Sequence, residues 1–417
     1  MRILLLNQAF YPDVVSSAQH LADLARGLIE RGCEVTVVCG DRGYDDRRTR
    51  FPKDEIWKGI SIKRVSSFGF GKGARWRRAL DFGSFLFRAA LKLTAAPRFD
   101  VVICLTSPPF ISLLGVLFTR FRGGRLVLWV MDLNPDEAIA AGWLKPESLS
   151  AKILKAISRR TFRWSEKVIV LDRFMEERLL RDGVAGEKIR VIPPWAQDDS
   201  VRYDEEGRNR FRQEHGLAGK FIVMHSGNHS PCHPLDTLLQ AARELADDAG
   251  VHFCFVGGGS EMKKVKAFKK AHNLENILCL PYQPMDSLPG SLSSADLHVV
   301  VMGGEFVGIV HPCKVYNILA LGLPVLYIGP TSSHIEDLAA RDSESSLWHR
   351  TRHGDASSVV KEILAARQSR EACTRRGSHA AYSKSILLPR LIEEAVFPPS
   401  SAAAASRSLD APASVTR

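Results

Sequence analysis

Between Ala295 and Gly329 the chain reads ADLHVVVMGGEFVGIVHPCKVYNILALGLPVLYIG, and few folds accommodate such a stretch. Leu297 to Val301 and Pro324 to Ile328 are short apolar, β-branched runs of the kind that makes a parallel strand buried on both faces. Between them, Cys313 to Leu321 sets Val315, Ile318 and Leu319 along one side of a helix, with Pro312 at its mouth and Gly322 just past its end. Strand, loop, helix and strand form a βαβ unit, so the chain is an α/β protein. The loop from Met302 to His311 carries Gly303, Gly304 and Gly308 and leads into the helix start, with Lys314 on its first turn. Free N–H groups and a point charge there suit a nucleotide diphosphate; a tight turn packed with glycine is the plainer reading.

The same grammar opens the chain. Arg2 to Asn7 reads as a strand, Ser16 or Ser17 as the cap of a helix with Leu21, Leu24, Ala25, Leu28 and Ile29 on one face, and Glu34 to Cys39 as the next strand. Further strands follow at Ile60–Val65, Val101–Leu105, Arg125–Met131, Lys167–Leu171 and Ile189–Ile192. Asp41 to Lys58 reads as polar turn. Pro193, Pro194 and the charged stretch from Gln197 to Gly219 then break the periodicity, and FIVMHSG at Phe221 begins a second series. With 417 residues, two cores are the natural division. The expected plan is two doubly wound, Rossmann-like domains facing across a cleft: residues 1–195, a linker 196–219, residues 220–380, a C-terminal helix 381–397 that can return to the first domain, and a disordered tail 398–417. The helix there is expected to run from Glu371 to Ala395.

Charge and cysteine usage narrow the partners. Lys and Arg total 57 against 46 Asp and Glu, a net +11, which favours anionic partners, yet no aromatic-interleaved basic motif or recognition helix points to nucleic acid. The basic residues instead sit beside apolar helices. Lys72, Arg75, Arg77 and Arg78 precede a helix bearing Trp76, Leu80, Phe82, Phe85, Phe87 and Leu91, and Phe110 to Phe118 is followed by Arg120 and Arg122. That pattern reads as a helix at a membrane interface or as a core helix with a solvated end. The 8 cysteines are scattered without paired spacing, as in a reducing cytosol. MRILLLNQ is too short a run for a signal peptide, and no segment reaches the roughly eighteen apolar residues of a membrane span. A cytoplasmic protein held peripherally at the inner membrane is the expectation.

Chemistry-bearing residues gather at predicted strand ends. Asp132, followed by Asn134, Pro135, Asp136 and Glu137, ends a strand and either faces the cleft or caps a turn. In the second half, Gly227, Gly257 to Gly259 and Gly303 to Gly308 follow strands, but GGGSEM is no dinucleotide fingerprint and no Walker lysine motif occurs. His225, His229, Cys232 and His233 have a spacing reminiscent of zinc ligands but straddle a strand end, a loop and a helix start, so no metal is expected. That loop instead approaches a ligand through backbone N–H groups, with Asn228 or His229 donating a hydrogen bond.

These pieces resemble glycosyltransferase family 4, of GT-B architecture, and most closely its bacterial exopolysaccharide and O-antigen branch. The likeness rests on NQAFYPD, TSPPFISLLG, VMDLNPDEAIAAGWL, SGNHSPCHPLDTLLQAA and HPCKVYNILALGLPVL, and spans about residues 1 to 395. It implies a retaining transferase (hexosyltransferase type) with no tightly bound cofactor, moving sugar from a nucleotide donor, commonly UDP-linked, to a lipid-linked or glycan acceptor. By position, the donor would meet Gly227, Asn228, His229, Gly257, Pro281, Tyr282, Val310, His311, Cys313, Lys314 and Asn317; the acceptor would meet Ser16, Ser17 and Asn134. The family's two glutamates eight apart are replaced here by Ile309 and Asn317, and Ser230 and Pro231 stand where a basic residue is usual. Glu305 can stand in for the sugar-binding acid, Asn317 for the ribose partner, and Asp132 can orient or deprotonate the acceptor hydroxyl. The replacements also leave room for a catalytically lapsed relative that binds or scaffolds another transferase, and for another two-domain sugar-nucleotide enzyme such as an epimerase.

Overall fold

The structure is a computed structural model and describes residues 1–43, 49–70, 75–197, 199–342, 347–369 and 380–397. Lys72, the Arg75 side chain, the expected helix up to residue 379 and the tail from 398 lie outside the described residues. In the first half, strands β1 (Arg2–Leu6), β2 (Glu34–Gly40), β3 (Asp54–Trp57), β4 (Ile60–Val65), β5 (Val101–Cys104), β6 (Arg125–Trp129), β7 (Lys167–Val170) and β8 (Ile189–Val191) form one sheet in the order 3-4-2-1-5-6-7-8. All its neighbours are parallel except β3, which runs antiparallel to β4 at the edge. Helices α1 (Ser16–Glu30), α2 (Arg75–Thr94), α3 (Ile111–Arg122), α4 (Asp136–Ala140), α5 (Leu149–Trp164) and α6 (Arg173–Arg181) connect them.

The second half begins with α7 (Glu205–Glu214), followed by a parallel sheet of β9 (Phe221–Asn228), β10 (Val251–Gly258), β11 (Ile277–Leu280), β12 (Leu297–Val301), β13 (Val325–Ile328) and β14 (Trp348–Thr351), in the order 11-10-9-12-13-14. Its helices are α8 (Asp236–Glu244), α9 (Glu261–His272), α10 (Leu288–Ser293), α11 (Lys314–Ala320), α12 (His334–Arg341) and α13 (Ala356–Gln368); α14 (Lys384–Val396) ends the described chain. In both sheets the central strands are apolar runs buried on both faces, as parallel strands covered by helices must be.

Several expectations change. Within Asp41–Lys58, DEIW is strand β3: an edge strand with one solvated side needs no apolar run. Segment 196–219 is not free connecting chain, because α7 is fastened to the second half by Arg208 and Arg212, which clamp Asp296 at 2.7 and 2.6 Å in the interior. Neither Ser16 nor Ser17 caps α1; Val15 holds that position without a side-chain bond, and the Ser16 hydroxyl turns to His20 Nδ1 at 3.3 Å. Apart from these changes, α14 lies against α1 of the first half, where Gly27 leaves room: a Cβ there would come within 2.8 Å of Ile392. Arg190 to Glu394, at 3.0 Å, ties the same helix to β8.

Candidate active site

The two sheets present the C-terminal ends of their strands to one another, and backbone joins them. Asp132 and Val310 form an antiparallel bridge, and the Leu133 N–H donates to the Ile309 carbonyl at 2.9 Å. Ile309 is buried in the core of the first half, which is why an apolar residue fits where the family's glutamate was expected.

On the second-half side, glycine lets three chain segments converge. Gly227 and Gly257 have φ of 117° and 131°, and a Cβ on Gly257 would fall 2.0 Å from the Gly227 carbonyl oxygen. Above Gly227 lies the Lys314 chain, whose Nζ is 3.1 Å from His225 Nε2. Helix α11 that carries Lys314 has only 7 residues, so the ammonium and the glycine-lined backbone, rather than a long helix dipole, are what the site offers an anion.

The histidines expected near this loop are not a metal set. Each Nδ1 faces a backbone carbonyl: His225 to Val299 at 3.1 Å, His229 to Gly227 at 2.9 Å, His233 to Val301 at 2.7 Å. A carbonyl only accepts, so each Nδ1 carries the proton and each Nε2 is a bare acceptor. His225 Nε2 therefore receives Lys314, while the buried His229 Nε2 has no hydrogen-bond partner among the described residues. His229 thus accepts rather than donates in this tautomer. Burial, reinforced by the Lys314 charge, pushes the His225 imidazole well below its usual value, His229 to about 4 and His233 to about 3. Burial also pushes the Lys314 ammonium down to about 7.

Opposite stand two acids. Asp132 is held well above the ordinary carboxylate range, first by burial and then by the charge of Glu137; Glu137 is raised by burial, with Arg78 opposing. Among the described residues no hydrogen bond reaches the Asp132 carboxyl. Asp132 and Asn134 line a pocket with Thr106, Phe110, Ser112 and Phe162.

The remaining expected residues are placed unevenly. Tyr282 is exposed and lies over Gly258, where a Cβ would be 3.0 Å from its ring, with Pro281 exposed beside it; Asn228 is exposed at the end of β9. Glu305 is exposed on a one-turn 3-10 helix in the loop after β12. Cys313 meets Ser16 of the first half, and its thiol is pushed up to about 12 by burial. Ser17 is half-buried at the start of α1. Asn317 corrects the ribose expectation: its side-chain oxygen accepts the Gln197 N–H at 2.8 Å and so anchors the crossover between halves. His311 is turned away from the glycine loops toward Asp172, at 2.7 Å from Nδ1 to Oδ2. Asp172 and His334 escaped sequence reading because 139 residues separate Asp172 from His311.

Comparison with known proteins matches this arrangement. Residues 17–195 match the glycosyl transferase 4-like domain, and residues 207–379 match glycosyl transferases group 1. The chain belongs to glycosyltransferase family 4. It is 24% identical over 336 residues to the Escherichia coli protein named for colanic acid biosynthesis glycosyl transfer, WcaI, covering 77% of this chain and 82% of that protein. The fold is that of sucrose-phosphate synthase from Thermosynechococcus elongatus, with a TM-score of 0.73 at 14% identity over 94% of this chain and 97% of that one. Anabaena HepE, solved in complex with UDP and glucose, gives 0.69 at 15% identity, over 94% and 98%. The GT-B expectation holds, and the protein is a glycosyltransferase.

Proposed function

We propose that this glycosyltransferase takes a sugar from a UDP-linked donor, with retention at the anomeric carbon, and places it on a lipid-linked or glycan acceptor during bacterial surface polysaccharide synthesis. The observation that carries the reading is the Lys314 ammonium seated over glycine-built strand ends, on a loop whose Val310 pairs by backbone with Asp132 of the first half. Glycines let the diphosphate approach the main chain, and Lys314 offsets its charge as the leaving group departs. Glu305, exposed in the loop after β12, is the acid assigned to the donor sugar, and Tyr282 flanks the base. HepE with UDP and the naming of WcaI support donor and pathway; retention follows from the family resemblance.

On the other side, Asp132 orients the acceptor hydroxyl. A carboxyl raised by burial is a stronger base once ionised, so it takes the hydroxyl proton as the hydroxyl adds to the anomeric carbon on the same face from which the diphosphate leaves, the approach that retention requires. Closure of the halves positions both substrates and excludes water.

The acceptor side also supports a place at the inner face of the cytoplasmic membrane. Among the described residues no helix is long and apolar enough to cross a membrane. Helices α2, α3 and α5 nevertheless expose Trp76, Phe87, Phe121 and Leu149 at 60%, 65%, 81% and 74%. Arg77 and Arg120 lie over the rings of Trp76 and Trp164 on the same helices, the pairing of apolar and cationic groups that an anionic lipid surface takes. Transfer from UDP-sugars to a polyprenyl diphosphate glycan, assayed with purified protein and vesicles, tests the reading; binding of UDP without any transfer would favour the scaffold alternative.

A further inference from the structure

Away from the glycine loops, a second cluster spans the halves. Asp172, between β7 and α6, divides its carboxyl between two tasks. Oδ1 accepts the Met175 N–H at 2.8 Å and caps α6, while Oδ2 accepts from His311 Nδ1 at 2.7 Å. Nε2 of His311 is 2.8 Å from the Tyr316 hydroxyl, which donates to it, and its ring stacks on His334 at 3.9 Å with 21° between planes. All four side chains are buried.

A metal ion does not account for this group. Ligand atoms of Asp172, His311 and His334 lie within 4.8 Å of one another. Yet a ring nitrogen binds along its own plane, and two stacked, nearly parallel planes do not meet within bonding distance of both rings. His311 is moreover already satisfied at both nitrogens.

What the cluster does control is one loop. His311 precedes Pro312, Cys313 and Lys314, and the Cys313 thiol returns to the His311 carbonyl at 3.3 Å. Two more contacts fix the loop just before it to the first half, and a third fixes the neighbouring α12 that carries His334. Arg178 donates to the Val307 carbonyl at 3.0 Å. A Cβ on Gly308 would fall 2.6 Å from the Phe174 carbonyl, and Arg173 grips Asp337 at 2.6 and 3.0 Å. We propose that Asp172 is a positioning residue for the donor site: by accepting the hydrogen bond from the Nδ1–H of His311 it sets one tautomer and orientation of that ring, and so the place of the Val310–Lys314 loop, whenever the halves are closed. The inference rests on the donor-site reading above. It makes that site depend on a carboxyl that never touches the nucleotide.

The charge needed is present at neutral pH. Burial alone would raise the Asp172 carboxyl, but the hydrogen bonds from His311 and from the Met175 N–H help override it and hold it at about 2; burial keeps the His334 imidazole well below its usual value.

Asp172→Ser separates the two tasks, since a serine hydroxyl still caps α6 but does not reach His311. Asp172→Asn keeps a single oxygen, which turned toward His311 still accepts its Nδ1 proton in a hydrogen bond while the amide NH2 gives up the bond to the Met175 N–H. The probes are UDP, titrated calorimetrically, and histidine-selective 15N spectra of the full chain, with His311→Gln assigning the resonance. The expected result is an Nδ1-protonated His311 in wild type that loses this signature in Asp172→Ser, with UDP affinity weakened about tenfold, and substantial recovery of both in Asp172→Asn. Unchanged UDP affinity in Asp172→Ser, or an unchanged His311 tautomer, overturns the inference alone. A folded wild type that binds no UDP overturns the reading beneath it.

Discussion

The two halves wind their sheets alike but treat charge at their strand ends in opposite ways. In the second half, groups that would be cations are kept short of protons: burial holds Lys314 at about 7 and His229 at about 4. In the first half, Asp132 and Glu137 are kept short of ionisation, again by burial first. On the reading proposed above, each side of the cleft is thus matched to a ligand that restores what burial withholds, an anion that favours the ammonium on one side and a hydroxyl whose hydrogen bond favours the carboxylate on the other. The shared architecture supplies the cleft, and the difference in buried groups assigns its sides.

The contrast extends to how each half uses its arginines, and that gives the largest expected effect. Asp296→Ala leaves Arg208 and Arg212 buried without their partner. It should cost the second half about 3–5 kcal/mol, read as an early, separate transition in thermal or urea unfolding. A single unshifted transition would mean that the clamp is not structural. Next comes Asp132→Asn, which should slow transfer about 100-fold or more while UDP affinity stays near wild type, since only the acceptor side is touched. Equal losses in both would erase the division between sides.

A smaller effect comes from pH. An anion favours the charged form of Lys314, whose value burial lowers to about 7. UDP affinity should therefore be fully expressed below that value and weaken as pH rises through it, by up to about tenfold per unit, with proton uptake visible as a buffer-dependent binding heat. A flat profile from pH 6 to 9 would show that Lys314 is already solvated. Smallest of all, Arg77→Ala with Arg120→Ala should weaken binding to anionic vesicles by about 1 kcal/mol per arginine and leave binding to neutral ones and unfolding unchanged. Equal binding of the variant to anionic vesicles would return those residues to ordinary surface.

Much of this was legible before the structure because buried parallel strands announce themselves: LHVVV and VLYI could hardly be anything else. Edge strands do not, so DEIW, with one side solvated, reads as polar chain. The Lys314 loop was legible from its glycines and βα context. What the sequence could not show was competition for polar atoms. Asn317 looks free until Gln197 takes its oxygen, and His311 looks like part of the phosphate loop until Asp172 accepts its hydrogen bond from the other half. The Ser16 cap failed for the same reason, its hydroxyl turning to His20 and Cys313.

The measurement that bears most directly on the account is calorimetric titration of UDP, with GDP, ADP and CMP alongside, into wild type and Lys314→Ala. The account predicts selective binding of UDP by wild type and a loss of about 10- to 100-fold in the variant, the worth of a charge-assisted contact to the diphosphate. Undiminished UDP binding by a folded Lys314→Ala protein would contradict it.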